Sequence, residues 1–347
     1  MRKLNAYLLS SFLLMASTLW AQTDMTLYQL TNIPTSGLLN PGFRPEANLA
    51  IGFPAITSLG VHVHNSGFNL RELIGTDVED PNQAIQDIAA RLDGKDHLSI
   101  NLRSDLIYAG FGVGNGYVSL GAGTYTFVNF DYPADLLRFL WPSSDDFSEV
   151  SFNLQETDYE ALNATMYHLG YQHNLLDDRL SVGGRVKFFQ GIQHAYIERF
   201  ENRIEGQTDR MLVETDVLIR TGGVASLVDG NNTDIGSLLF PSNSGLGFDI
   251  GAVYSISPKW ELSASVINIG RIRFNENLRQ YVSKGTYEFT GLEYDPNEGD
   301  LSSDRLLDEL DSIFGVVEED GVAYSRALPM EAYASVTHKF NHVHSLS

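Results

Sequence analysis

The chain has 347 residues, with 23 lysines and arginines against 44 aspartates and glutamates, a formal charge of −21, and no cysteine. That acidic balance argues against a nucleic-acid binder, which needs basic patches to displace counterions, and equally against tight docking on anionic headgroups. Without cysteine there are no disulfides, thiolate metal sites, cysteine nucleophiles or lipid-modified N-terminus.

The chain opens with "MRKLNAYLLSSFLLMASTLWAQ". A short basic start, a largely apolar stretch and small residues before Gln22 read as a secretory signal over residues 1–21, cleaved between Ala21 and Gln22. Its removal takes away two basic and no acidic residues, leaving 21 against 44 and a net charge of −23. No later segment approaches the roughly 18 unbroken apolar residues of a membrane helix. Residues 22–46 are polar and rich in turn formers, and are expected to be a periplasmic, plug-like segment ahead of a domain over residues 47–347.

Period-two alternation then dominates. It starts at Leu49, Ile51 and Phe53, returns in "LGVHVHNSG", and runs from Leu98 through "LSINLRSDLIYAGFGVG". Asn115-Gly116 breaks the pattern before "YVSLGAGTYTFVNF", a strong hairpin signal. The glycines of "GFGVGNG" lack the G-x-G-x-x-G spacing and no helix follows, so a turn outweighs a nucleotide loop. A second pair, joined by Asp177-Asp178, sets Leu162, Ala164 and Met166 against Asn163, Thr165 and Tyr167. Its other strand sets Leu180, Val182, Val186 and Phe188 against Ser181, Arg185 and Lys187. A third pair is "GLGFDIGAVYSISPKWELSASVINIG", and a last pattern spans Ala327 to Phe340.

Connections alternate in length. The turns at 115–116, 177–178 and 257–259 are tight, whereas residues 65–97, 131–158, 191–244 and 276–326 are long. Three of the long ones carry helical patterns: "DPNQAIQDIAARL", "PADLLRFLW" and "SSDRLLDELDSIF". Short turns at one end and long loops at the other is the outer-membrane arrangement. Parity requires residues 191–244 to hold an even number of spanning strands or none, and "HAYIERFENRIEGQTDRMLVETDVLIR" reads as a hairpin around Glu205-Gly206. The expected fold is all-β, an antiparallel transmembrane β-barrel of about eight confident strands with short helices in its long loops. Because "THKFNHVHSLS" stops where a tight turn is due, further strands are expected beyond residue 347.

Two faces follow from this fold. Asn163, Thr165, Arg185, Lys187, Asp249, Ser255, Glu261, Ser263 and Ser265 are expected to line a lumen. Leu180, Val182, Val186, Phe188, Phe248, Ile250, Tyr254, Trp260 and Leu262 are expected to meet lipid, with Trp260 at the interface. Charges such as Arg185 and Asp249 suit a lumen and are costly in a sandwich core. His62 with His64, and His342 with His344, have no identifiable third ligand. "DGNNTD" and "DPNEGD" lack the calcium-loop pattern, and neither a G-x-S-x-G elbow nor H-E-x-x-H occurs. No metal, cofactor or catalytic set is therefore expected.

"IPTSGLLNPGFRPEANLAIGFPAITSLGVHVHNSGFNLRELI" and "SNSGLGFDIGAVYSISPKWELSASVINIGRIRF" resemble blocks of a Bacteroidota outer-membrane β-barrel family, a domain of unknown function numbered 5723. "RLSVGGRVKFFQG" and "YPADLLRFLW" are similar too, so the resemblance covers most of residues 30–340. It implies an exported, asymmetric barrel with no established activity and strands beyond residue 347. "NPGF" more distantly resembles fatty-acid-transporter-type barrels and transfers no site residue. The expectation is a non-catalytic outer-membrane protein. It would be a channel for hydrophobic or small solutes, or an accessory of surface or secretion assembly, with outer-membrane lipid and envelope proteins as partners. The alternative is a secreted soluble β-protein, a binding module or adhesin.

Overall fold

The structure is a computed structural model, and it describes residues 28, 34–53, 58–69, 71–74, 81–92, 94–140, 151–207, 211–223, 243–289 and 315–338. The proposed signal and cleavage site, the two acidic loops, the third helical pattern and His342 with His344 lie outside these residues.

The described chain is all-β and antiparallel, with a 3-10 turn at Pro34–Leu38 ahead of the sheet and α-helices in connections between strands. Edge strands β1 (Leu49–Gly52) and β2 (Ser58–Asn65) precede helices α1 (Arg71–Ile74) and α2 (Pro81–Arg91). Long strands β3 (Lys95–Val113) and β4 (Gly116–Pro133) follow, then α3 (Ala134–Leu140), β5 (Ser151–Asn153), β6 (Asp158–Leu175) and β7 (Leu180–Gly206). The remainder is β8 (Met211–Gly222), β9 (Ser244–Ser257), β10 (Trp260–Phe274), β11 (Leu278–Phe289), β12 (Val317–Asp320), β13 (Tyr324–Ala327) and β14 (Glu331–His338).

All three tight turns form. Val113 pairs with Gly116, so the first loop is Gly114-Asn115, one residue earlier than the Asn-Gly dipeptide suggests; Gly114 takes φ 56°. In the second, Leu176, Asp177 and Asp178 all have positive φ, at 54°, 52° and 64°. Such a run of non-glycine residues is strained, and the Asn174 side chain donates to Asp178 Oδ1 at 2.9 Å to help hold it. Ser257 pairs with Trp260 across Pro258-Lys259.

The sheet is one curled wall with an extension. At the tight-turn end the strands run β1 and β2 (both on the free side of β3), β3, β4, β6, β7, β9, β10, β14. The 27-residue β7 explains the long 191–244 connection. Its first half pairs with β9 and its second half with β8, so residues 194–222 continue the wall as a hairpin extension joined by β11 and β12. Among the described residues the sheet does not close, because β14 pairs only with β10.

Curling brings distant strands together on the inside. Tyr125, Phe127, Leu162, Ala164, Met166, Phe189, Ile272, Phe274 and Leu328 form one buried apolar cluster from strands on opposite sides of the curl. Beyond it, α2 and α3 pack over the long-loop end through Ile88, Leu92, Tyr132 and Ala134. The helical pattern of "DPNQAIQDIAARL", with Ile85, Ile88, Ala89 and Leu92 on one side, is thereby buried at Ile88, Ala89 and Leu92 and half-buried at Ile85, and Arg138 ties α3 to it by donating to Ala89 O and Leu92 O at 3.0 and 2.8 Å.

Candidate functional site

Strand register decides which side chains meet inside. On β7 the inward residues are Ser181, Gly183, Arg185, Lys187 and Phe189; opposite them β9 presents Val253, Gly251, Asp249, Gly247 and Gly245. A β-bulge in β10 adds to this face. Val266 pairs with Ile250 and Ile269 with Phe248, so Ile267 and Asn268 intervene and both turn inward. Asn268 has φ 60°, a left-handed conformation that asparagine tolerates.

These residues form a buried charge cluster. Asp249, 1% exposed, accepts from Arg185 at 3.2 Å and Lys187 at 2.9 Å. Its second oxygen accepts the Asn268 backbone N–H at 2.8 Å, freed from the ladder by the bulge. Lys187 Nζ also donates to Asn268 Oδ1 at 2.7 Å, and Asn268 Nδ2 donates to Pro329 O at 3.2 Å. Desolvation makes such charges expensive unless every partner is supplied, and the bulge supplies two of them.

The chain N-terminal to β1 crosses this same face as a strap. Arg185 donates to Gly37 O at 2.6 Å and Leu38 O at 3.3 Å, and Ser265 Oγ donates to Leu39 O at 2.7 Å. The Ser181 hydroxyl donates to Gly42 O. Asn40, fully buried, donates through Nδ2 to the Tyr28 hydroxyl at 3.0 Å and to Ala264 O at 3.4 Å, while its Oδ1 accepts from Gly42 N at 2.8 Å. Tyr28, Leu39 and Phe43 pack with Ile267 and Tyr333, and Arg44 ends the strap by donating to Asn115 O at 3.0 Å.

Inward glycines make the room. A Cβ on Gly183 would stand 1.8 Å from Pro41 O, and one on Gly251 2.0 Å from Asn40 Oδ1. Gly183 is a socket for the backbone of Pro41-Gly42, and Gly251 one for the Asn40 side chain. Strap and wall fill the tight-turn end, leaving beside Arg185 a void of about 20 Å³, room for about one water. A second constriction lies nearer the long loops. There the buried His194 ring stacks on Phe274 at 4.7 Å, meets the Tyr324 hydroxyl at 2.9 Å and Glu160 at 3.2 Å, while Arg326 holds both Glu160 oxygens at 3.0 and 2.8 Å.

Of the residues expected inside, Arg185, Lys187, Asp249, Ser263 and Ser265 are buried on this face, and Ser255 and Glu261 lie half-buried on it beside the Pro258-Lys259 turn. Asn163 and Thr165 are corrected. They point outward, because Leu162, Ala164 and Met166 on the alternate positions fill the inner apolar cluster. The rule that the polar face is the inner face fails on β6, whose inner face changes from apolar to polar at His168.

Val186, Phe188, Phe248, Ile250, Tyr254, Trp260 and Leu262 are exposed on the outer face, with Leu180 and Val182 partly exposed beside them. They belong to a wider belt that includes Leu49, Ile51, Phe111, Leu120, Leu169, Tyr171 and Val336. Sequence reasoning missed Asn268, Asn40 and the Glu160–His194 group. The adjacent Ile267-Asn268, which break strict alternation, were the available signal for the bulge.

His62 and His64 lie on the inner face opposite Asn101 and Ser99. Among the described residues no group of three or more histidines or carboxylates is placed to hold a metal ion. No helix there is long and apolar enough to cross a membrane, which says nothing of strands.

No curated protein and no solved structure matches the chain. A family model does match, over residues 41–347, which include the end of the strap from Pro41 onward, the Arg185–Asp249 cluster and the fourteen strands of the described residues, and the chain belongs to that Family of unknown function (DUF5723).

Proposed function

We propose that this chain builds the wall of an outer-membrane β-barrel of the Bacteroidota envelope type, exported by its cleaved signal and acting without catalysis in transport or surface assembly. One observation carries the reading: polarity is inverted at the tight-turn end. Charged and hydroxyl side chains are buried inside, while large apolar side chains stand exposed outside, Ile250 at 56% and Leu169 at 58%. In water that exposed belt would be a severe aggregation liability. The belt runs from Leu180 to Phe188 on β7 and from Leu246 to Ile256 on β9, and a membrane strand needs about 9–11 residues to span. Above it the outer face turns polar at Asn163, Thr165 and Thr126.

The strap occupies the periplasmic half of the lumen, so the described interior is a stoppered vessel rather than an open pore. Solute transport would require strap movement, whereas an assembly role would use the helical long-loop end as the partner surface. Detergent-dependent recovery from the outer-membrane fraction and heat-modifiable gel migration test the reading. Recovery without detergent from periplasm or medium overturns it in favour of a soluble binding module. Ile250→Arg should cost about 2–4 kcal/mol if that residue lies near the bilayer midplane.

A further inference from the structure

A chain without cysteine has no disulfide to staple its wall, but the buried charge cluster holds the parts of another covalent bond. Lys187 on β7 and Asn268 in the β10 bulge are 81 residues apart, and Lys187 Nζ donates to Asn268 Oδ1 at 2.7 Å. Strand β9 runs between them. Its Gly247, opposite Lys187, leaves the path clear, since a Cβ there would stand only 3.6 Å from Lys187 Cβ.

The Asn268 amide is oriented from both sides. An ammonium only donates, so the amide oxygen must face Nζ; a carbonyl only accepts, so Nδ2 must face Pro329 O, 3.2 Å away. Asn268 Cγ sits one C=O bond behind that oxygen, within about 4 Å of Nζ, close to the separation of reacting atoms poised for attack. Asp249 touches both partners, accepting from Lys187 Nζ at 2.9 Å and from the Asn268 backbone N–H at 2.8 Å. The Lys187 and Asp249 side chains are 5% and 0% exposed, so bulk water does not compete at the site.

We infer that Lys187 is a nucleophile, the Asn268 side chain its electrophile and Asp249 their shared base, and that the two side chains become joined by an isopeptide bond. Asp249 takes a proton from the Lys187 ammonium, and the freed amine attacks Asn268 Cγ. The Nζ–Cγ bond forms and the Cγ–Nδ2 bond breaks. Nδ2 receives, through Asp249, the two protons that Nζ sheds and leaves as ammonium. One amide is exchanged for another, so no oxidant, metal or co-reactant enters.

Charge favours the exchange. Arg185 stays cationic throughout, and together with Lys187 it sets two buried cations against the one carboxylate they contact. Buried charge without its own partner is costly. Departure of ammonium removes the surplus and leaves Arg185 paired with Asp249. The product staples β7 to β10 across β9, under the strap. It is a single self-modification rather than turnover, and it goes beyond the membrane reading, because the cluster is buried whichever solvent meets the outer face.

Peptide mapping of the full-length wild-type protein, denatured and digested with trypsin, tests the bond. The expected product joins residues 186–199 to residues 260–271, is uncut after Lys187, and is lighter than the two peptides together by one ammonia. After boiling, the wild-type chain should also run faster on a denaturing gel than Lys187→Met, because its internal loop stays closed; a folded barrel loses its fast form on boiling, so the two effects separate. Asp249→Asn should slow linkage by about 10²–10⁴-fold, the loss of a general base. Cleavage after Lys187 with free 260–271 peptide in full yield overturns the bond and leaves an ordinary ion pair, a result that needs no variant to fold. Linkage at the wild-type rate in Asp249→Asn overturns the role of Asp249.

Discussion

Gly183 and Gly184 are neighbours on β7 with opposite fates, and substituting each by alanine isolates the strap. A Cβ on Gly183 would lie 1.8 Å from Pro41 O and 2.3 Å from Pro41 C, where about 3 Å is the least that real structures allow. Both obstructing atoms are backbone, so the strap must retreat by roughly 1 Å or leave its socket, an overpacking cost of about 1–3 kcal/mol. On Gly184 the nearest atom is Asp249 O at 3.7 Å, ordinary contact, and the change should stay within about 0.5 kcal/mol. Gly183→Ala should therefore lower the denaturant midpoint, read by tryptophan emission in detergent, and expose Phe43, now 5% exposed, to chymotrypsin. Gly184→Ala should do neither. Equal behaviour of the two variants would refute the reasoning, because it would mean that Pro41 does not occupy that socket.

Asp249→Ala strands two buried cations and should cost about 3–5 kcal/mol; a loss below about 1 kcal/mol in equilibrium unfolding would show that water reaches the cluster. At the long-loop end, beyond the apolar belt, partial burial raises the Asp131 pKa, but hydrogen bonds from Lys95 and His97 outweigh it and hold the carboxyl below its usual value. A depressed carboxylate pKa contributes stability that is complete above the unfolded value of about 3.9 and is lost as pH falls through the folded one. Amide-exchange protection of residues 95–97 should therefore survive mild acid and fail only below that range, and Lys95→Met should move the failure upward; an unmoved profile would remove Asp131 as its cause.

Legibility differed from feature to feature for physical reasons. Hairpins were readable because a strand repeats every two residues and tight turns carry local chemistry, as the Pro258-Lys259 turn illustrates, although the Asn115-Gly116 dipeptide misplaced its turn by one residue. The α2 stripe was readable for the same kind of reason. The inner face of β6 was not, since Met166 and His168 both point inward although one is apolar and the other polar. Their environments come from different strands: Met166 joins Tyr125 and Phe274, whereas His168 sits beside Lys187 in register.

The sequence by itself determined what local periodicity encodes: an antiparallel all-β chain, its short and long connections, and the facing of Arg185, Lys187 and Asp249. Only the tertiary structure decided what those charges hold. The strap and its clamp are separated by more than 140 residues, as in Arg185 with Gly37 and Leu38, and no window of sequence relates them. The glycines at 183 and 251 look like weak points in a strand until Pro41 and Asn40 are placed against them. Asn268 looks like a stray polar residue until the bulge turns it toward Lys187. Local pattern sets which way a side chain points; the curl of the sheet, a sum over many strands, sets what it meets.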